Sequence, residues 1–193
     1  MPRIRTNSKQ KIVQAAEALF KRHGIDRVTV EEISEMAGLS KVTFYKYFDN
    51  KLAVVSHILE SAFITGQQKF DAILAKDSSF KHQVRELVNF KMMQTRQFSD
   101  EFINDLMTGP HFRERVKEMA QIQNQRFIKL FEQGQARGDI RPDLPIPFLL
   151  HYLSQLESLF TSEDLLAWFP KPDQRLNHVL DMFFFGISNR PGA

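Results

Sequence analysis

The chain has 193 residues, of which 42% are hydrophobic, and it contains 18 Phe but no Cys. This length allows one domain, or a small domain joined to a larger one, and the apolar content argues for a packed core and against disorder. The lack of cysteine excludes disulfides, thiolate metal sites and cysteine nucleophiles, and no apolar run approaches the ~18 residues of a membrane span. We therefore expect a soluble, cytoplasmic protein with no membrane partner.

The formal net charge of +3 is unevenly distributed along the chain. Residues 1–51 contain ten Lys or Arg and six Asp or Glu. The other 142 residues contain 16 Lys or Arg and 17 Asp or Glu. The positive excess therefore lies in the first quarter, as expected if that part alone meets a polyanion. Taken by itself, the excess also fits an ordinary solvated face.

Local signals predict two helices at the start of the chain. The first runs over residues 8–23, with Asn7 as its N-cap and Gly24 closing its C-terminal end. The second begins with a capping box, in which the Thr29 hydroxyl accepts the backbone N–H of Glu32 and the Glu32 carboxylate accepts that of Thr29. Both patterns are specific enough to fix where these helices start.

A tight turn at residues 38–40 leads into a third helix, predicted over residues 41–48. Gly38 supplies a positive φ and Ser40 caps the new helix. Phe44 and Phe48 are four residues apart and point to the core. The opposite side is polar, basic and aromatic, which does not suit a core and indicates a helix that reads DNA. Its members are Lys41, Val42, Tyr45 and Lys46.

Six further helices are predicted, at about residues 51–76, 80–97, 101–107, 111–137, 146–161 and 174–188. The last two are joined by a loop that contains Pro170 and Pro172. No period-2 run indicates strands and no internal repeat is present. The sequence thus predicts an all-α fold of about nine helices, with a helix-turn-helix domain over residues 1–50 and a ligand-binding and dimerisation domain over residues 51–193.

The last two helices are apolar over more than one face. A surface helix needs only one apolar stripe, so the surplus predicts a second partner, most simply a second copy of the chain. The predicted dimer interface consists of Leu149, Tyr152, Leu153, Leu156, Phe160, Leu176, Val179, Leu180, Phe183, Phe184 and Ile187.

A combined pattern runs through residues 8–55. Its parts are Gly24, Thr29-Val30, Ile33, Ala37-Gly38-Leu39-Ser40, Thr43-Phe44-Tyr45-Lys46-Tyr47-Phe48 and Lys51-Leu52. With these spacings, the stretch resembles the N-terminal domain of the TetR/AcrR-type transcriptional regulators. Ser34 departs from the Ala that is usual in the family, and Val42 from a frequent Gly.

The resemblance implies a dimeric, all-α repressor. Its N-terminal domains would read a palindromic operator and its C-terminal domain would bind a small inducer. The likeness is close over the first quarter of the chain only, and activation instead of repression stays open.

The third helix is expected to enter the major groove of DNA. Lys41 can donate to guanine, Val42 can contact a thymine methyl and Thr43 can bond to either kind of base. A second set suits phosphates, although Tyr47 is equally well explained as a packing residue. This set is Thr29, Ser40, Tyr45, Lys46, Tyr47, Lys51, Arg3, Arg5 and Lys9.

Aromatic and methionine residues of the middle helices suggest a cavity for an apolar or aromatic effector. A filled core is the alternative for any single member. The predicted lining is Phe63, Phe70, Phe90, Met93, Phe98, Phe102, Met107, Phe127 and Phe131, with His151 and Gln155 as polar anchors.

Nothing in the sequence indicates an enzyme or a cofactor. The six His are scattered without an i, i+4 pair, which argues against a metal site. Paired acids at helix starts suit the helix dipole better than catalysis, and no phosphate-binding or nucleophile motif is present. The remaining alternative is a helical adaptor or ligand-binding protein of the same fold that does not bind an operator.

Overall fold

The computed structural model describes residues 7–95, 99–159, 162–169 and 171–187. Within these residues the chain is all-helical, with ten α-helices and no β-strand. The helices are α1 (Ser8–His23), α2 (Val30–Ala37), α3 (Lys41–Tyr45), α4 (Lys51–Leu74), α5 (Phe80–Thr95), α6 (Asp100–Thr108), α7 (Arg113–Ala136), α8 (Ile146–Leu159), α9 (Glu163–Trp168) and α10 (Pro172–Ile187). No described helix is long and apolar enough to cross a membrane.

All nine predicted helices form, with two differences. The third ends at Tyr45, and the chain leaves it through a turn in which the Tyr47 N–H donates to the Phe44 carbonyl at 2.9 Å. The segment predicted as a loop before α10 contains the short helix α9, whose N-terminus is capped by Ser162. A helix of only six residues is too short to show a helical period in the sequence.

The chain divides into two compact units, each built from two segments. The N-terminal unit comprises residues up to 72 together with 91–119, and the C-terminal unit comprises residues 73–90 and those from 120 onward. This division is by packing. The predicted division into a DNA-binding domain (1–50) and an effector domain (51–193) is by function and stays a prediction.

The core of the N-terminal unit joins α1, α2, α3 and the start of α4 to α6. Phe20, Phe44 and Phe102 are among its fully buried side chains, and the rings of Phe20 and Phe102 stack with centroids 6.3 Å apart. Backbone atoms also connect α1 to the start of α6, because the Ser99 N–H donates to the Lys21 carbonyl at 3.1 Å. A segment far along the chain therefore completes the fold of the first three helices.

The core of the C-terminal unit is a connected set of aromatic rings. Phe80 lies between Phe131 and Phe184, with centroid distances of 6.2 and 6.4 Å. Phe183 contacts Phe184 at 5.4 Å and Tyr152 at 5.8 Å. Rings on α5, α7, α8 and α10 thus hold this unit together.

This packing corrects the predicted dimer interface. Nine of its residues are buried within the chain itself, so they fill the core and leave no surface for a partner. They are Leu149, Leu153, Leu156, Leu176, Val179, Leu180, Phe183, Phe184 and Ile187. Tyr152 is exposed, and Phe160 lies outside the described residues. Other apolar side chains of α8 and α10 face outward instead, namely Phe148, Met182 and Phe185.

The predicted effector-pocket residues do not share one environment. Phe102 belongs to the core around α1, while Met93 and Met107 are exposed. The polar anchors His151 and Gln155 are exposed as well. Phe70 and Phe131 are buried, Phe63, Phe90 and Phe127 are half-buried, and Phe98 lies outside the described residues.

Candidate DNA-binding surface

The loop between α1 and α2, residues 24–28, begins at a backbone position that requires glycine. Gly24 has φ 74° and ψ 178°, a region that is essentially restricted to glycine. A Cβ at this position would also lie 2.8 Å from the Asp105 carboxylate. The predicted closure of α1 is confirmed, and the Gly24 N–H donates to the Phe20 carbonyl at 3.0 Å.

The capping box predicted for α2 is present. The Glu32 N–H donates to the Thr29 hydroxyl at 3.2 Å, and the Thr29 N–H donates to the Glu32 carboxylate at 2.8 Å. The Thr29 hydroxyl also donates to this carboxylate at 2.8 Å, and the two bonds that the carboxylate accepts from Thr29 favour its ionised form and lower the pKa of Glu32. The start of α2 is therefore fixed by its own residues.

The turn between α2 and α3 has the geometry that its sequence predicts. Gly38 adopts the left-handed conformation (φ 65°, ψ 37°), and the Leu39 N–H reaches back to the Ser34 carbonyl at 2.9 Å. Ser40 then caps α3, because its hydroxyl accepts the Thr43 N–H at 3.2 Å. The two hydroxyls of Ser40 and Thr43 also share a hydrogen bond of 3.0 Å.

Helix α3 is anchored on one side and presents the other to solvent. Phe44 is fully buried and Phe48 nearly so. Val42 is 70% exposed, an unusual environment for a β-branched apolar side chain in the middle of a short helix. Tyr45, Lys46 and Tyr47 are exposed beside it, as the predicted division of faces requires.

Lys41, the first residue of α3, is engaged within the chain. Its ammonium donates to the carboxylate of Glu31 on α2. This bond lowers the pKa of Glu31. Both side chains are more than half exposed, so the pair lies at the protein surface at the start of α3.

Lys51 has a different role from the predicted phosphate contact. Its ammonium donates to three backbone carbonyls of the 24–28 loop, which belong to Ile25 (2.8 Å), Asp26 (2.9 Å) and Val28 (2.9 Å). A lysine has three N–H donors, so none is left for DNA in this arrangement. The prediction for Lys51 is therefore corrected to a residue that holds the loop.

The same loop is held by α6, which the sequence did not indicate. The Asp105 carboxylate accepts the Ile25 N–H at 2.7 Å and lies 3.4 Å from the Asp26 nitrogen. Asp105 is about 80 residues away in the chain, and no local pattern signals such a contact. Lys51 and Asp105 together bind both the carbonyls and the amides of the loop.

The remaining predicted phosphate ligands are distributed as follows. Thr29 is exposed at the start of α2. The Lys9 ammonium lies 5.6 Å from the Phe48 ring centroid. Burial and then the Lys9 charge lower the pKa of His57, whose ring lies against the same Phe48. Arg3 and Arg5 lie outside the described residues.

Two further observations bear on chemistry. The Ser34 hydroxyl is buried on α2 and has no hydrogen-bond partner in the described part of the chain. Among those residues, no group of His, Cys, Asp or Glu is arranged to hold a metal ion. The exposed side chains around α3 include basic, hydroxyl-bearing and apolar groups.

Comparison with known proteins agrees with this geometry. The family described as bacterial regulatory proteins, tetR family, matches residues 12–58, which cover most of α1 and continue into α4. The HTH-type transcriptional regulator YfiR of Bacillus subtilis is 23% identical over 155 residues, covering 75% of this chain and 76% of YfiR. The HTH-type transcriptional repressor KstR2 of Mycolicibacterium smegmatis is 24% identical over 154 residues, covering 75% and 73%.

The fold is similar to solved structures over nearly the whole chain. The fatty acid degradation regulator FadR from Bacillus halodurans superposes with a TM-score of 0.73 at 18% identity, over 95% of this chain and 97% of FadR. At this identity the likeness concerns the fold. The segment matched by the family model is the one that carries α3.

Proposed function

From the premise that this chain is a transcriptional regulator of the TetR family, we propose that it binds a palindromic DNA operator through α3 and represses transcription at that site. The observation that carries the proposal is the outward position of Val42 on a helix that Phe44 anchors in the core. An exposed apolar side chain beside Lys41 suits the floor of the major groove, where thymine methyls and guanine acceptors lie.

The surface around α3 divides into base and phosphate contacts. In our proposal Lys41, Val42 and Thr43 meet base edges, since they form the first turn of the helix that enters the groove. Thr29, Tyr45, Lys46, Tyr47 and Lys9 meet phosphates, together with Ser40 and with Arg3 and Arg5 of the N-terminal segment. Phosphate contacts position the protein, whereas the base contacts select the sequence.

A dimer follows from the need to read two half-sites. Two recognition helices must reach successive major grooves about 34–36 Å apart. We propose that the second copy covers the outer side of α8 and α10, where Phe148 and Tyr152 are four residues apart and Met182 and Phe185 three apart. Met182 is 75% exposed and Phe185 is 83% exposed, which is costly in water for side chains of this size.

The effector is proposed to be a small apolar or aromatic molecule that binds in the C-terminal domain and releases the operator. The 18 Phe of the chain support this class of ligand. Hydrophobic ligands should raise the melting temperature of the protein if they bind its folded state. The lack of any shift across a varied set of such ligands would count against this part of the proposal.

Selection of bound sequences from a random DNA pool tests the central claim. We expect an inverted repeat to be enriched, and the protein to bind it at least about a thousandfold more tightly than random DNA. Val42→Ala should change the selected sequence, whereas Lys46→Ala should weaken all DNA about equally and lower the salt slope by about 0.9. Failure to enrich any sequence would favour an adaptor of the same fold.

Phe185→Ser tests the dimer. This variant should sediment as a monomer at concentrations at which the parent is a dimer, and it should lose operator binding. Phe185 is exposed, so the substitution should leave the helical content unchanged. A parent protein that sediments as a monomer would contradict the proposed interface.

A further inference from the structure

The ion pair between Glu31 and Lys41 places a carboxylate on the face that α3 offers to DNA. Glu31 is the second residue of α2 and Lys41 is the first of α3, so the pair joins the two helices across the turn. A negative group is unexpected on a surface that binds phosphates. Its place in the first turn of α2 suits the helix dipole, but the dipole does not explain why it pairs with Lys41.

Stabilisation of the fold does not explain the ion pair between Glu31 and Lys41. The side chains are 52% and 58% exposed, and exposed ion pairs contribute only about 0–1 kcal/mol to folding. The helices are already connected without it, through the Gly38 turn and the buried Phe44. The pair therefore has little to add to the fold.

The pair does control the Lys41 ammonium. A free lysine on this surface would bind a phosphate oxygen of any DNA, because phosphates are present in every sequence. With Glu31 as its partner, the Lys41 ammonium gains less binding free energy from a phosphate, because it must first break its ion pair with a carboxylate. The Glu31 carboxylate is also repelled by the phosphate that takes its place.

We propose that Glu31 is a specificity-determining residue that lowers the affinity for non-operator DNA by keeping the Lys41 ammonium from phosphates. At the operator, Lys41 meets a base acceptor such as guanine O6 or N7, and the ammonium has enough donors to keep Glu31 as well. At other sequences the matching base acceptor is not at the position that Lys41 reaches, and a phosphate oxygen is then the main competing partner. This inference rests on the proposed function, because it requires α3 to meet DNA.

The test compares Glu31→Gln with Glu35→Gln. Both variants remove one negative charge from α2, and Glu35 is exposed four residues further along without an ion pair to any described residue. Binding to the selected operator and to random DNA is measured by fluorescence anisotropy across a salt series. The melting temperature of each variant should stay close to that of the parent.

We expect Glu31→Gln to strengthen binding to random DNA roughly three- to tenfold and to steepen its salt slope by about 0.9, as one more phosphate contact would. Its effect on the operator should be smaller, so the specificity ratio falls. Glu35→Gln should change both affinities by about the same small factor. In a Lys41→Met background, Glu31→Gln and Glu35→Gln should become equivalent.

Equal effects of Glu31→Gln and Glu35→Gln on random DNA would overturn the inference, as would an effect of Glu31→Gln that persists without Lys41. Both outcomes leave the proposed function intact, provided that the parent protein prefers its selected operator. A parent without any preference would instead refute the proposed function. The two failures are thus distinguished by the parent protein.

Discussion

Replacing Lys51 by Met should destabilise the protein without changing the number of phosphate contacts, which is measured by the salt dependence of DNA binding. The substitution keeps most of the apolar stem and removes the ammonium, which donates three bonds of 2.8–2.9 Å to the 24–28 loop. Hydrogen bonds that involve a charged group contribute roughly 1.5–3 kcal/mol each when buried. The site is partly exposed, so water would replace part of this, and we expect a total loss of about 2–4 kcal/mol.

Urea denaturation followed by circular dichroism at 222 nm measures the loss directly. For a chain of this size, each kcal/mol corresponds to about 2–4 °C in melting temperature, so the variant should melt about 4–16 °C lower. Lys46→Met is the matched control, since the Lys46 side chain is exposed and forms no hydrogen bond or ion pair with a described residue. It should retain the stability of the parent and lose about 0.9 from the salt slope of DNA binding.

The reverse pattern for Lys51→Met would refute this reasoning. Unchanged stability with a slope lowered by about 0.9 would mean that the ammonium contacts a phosphate. The bonds to the loop would then be absent in the DNA complex. The original expectation from the sequence would in that case be correct.

Three further predictions concern the same unit. Gly38→Ala should lower the free energy of unfolding by about 1–2 kcal/mol, because alanine is strained in the left-handed conformation. Gly24→Ala should lower it further, because the new Cβ would also meet Asp105. Equal urea midpoints for the two variants would contradict this. Ser34→Ala should raise the free energy of unfolding by about 1 kcal/mol, because it removes a buried hydroxyl without a described partner, and a lower stability in urea would indicate that the hydroxyl is bonded. The folded-state pKa of Glu32 lies below its ordinary value of 4.5, so its contribution is present at neutral pH and is lost as the pH falls through the folded-state pKa. Glu32→Gln should therefore show a smaller loss of stability than the parent between pH 5 and pH 3, and identical pH profiles would exclude the capping carboxylate as a cause.

Local signals predicted helices α1, α2 and α3 well because these signals involve neighbouring residues. Asn7, the Thr29–Glu32 box and Gly38 each act within a few residues, so their spacing in the sequence fixes their geometry. The buried positions of Phe44 and Phe48 follow in the same way from the helical period. The three helices are confirmed for this reason.

Contacts between distant residues were not accessible to the same reasoning. Lys51 was predicted as a phosphate ligand because its side chain suits a phosphate, whereas the three carbonyls that it binds lie more than 20 residues upstream. Asp105 gave no signal for a similar reason. Both assignments depend on which loop lies next to which helix.

The residues predicted for the dimer interface were wrong for another physical reason, while the dimer itself stays a prediction. Helices α8 and α10 are apolar over more than one face, so their periodicity does not show which apolar face packs against the core. Phe183 and Phe184 turned out to pack inward, and Phe185 outward. Only the positions of neighbouring helices decide between them.

The two-segment construction of the N-terminal unit has a consequence for engineering. A chimera that transplants residues 1–50 onto another regulator would leave behind Lys51, Phe102 and Asp105, which bind the 24–28 loop and Phe20. The transferred helices would then carry an unsatisfied loop and an uncovered ring. A working graft should exchange α6 and the start of α4 together with the first three helices. The smallest transferable DNA-binding unit is therefore discontinuous in the sequence.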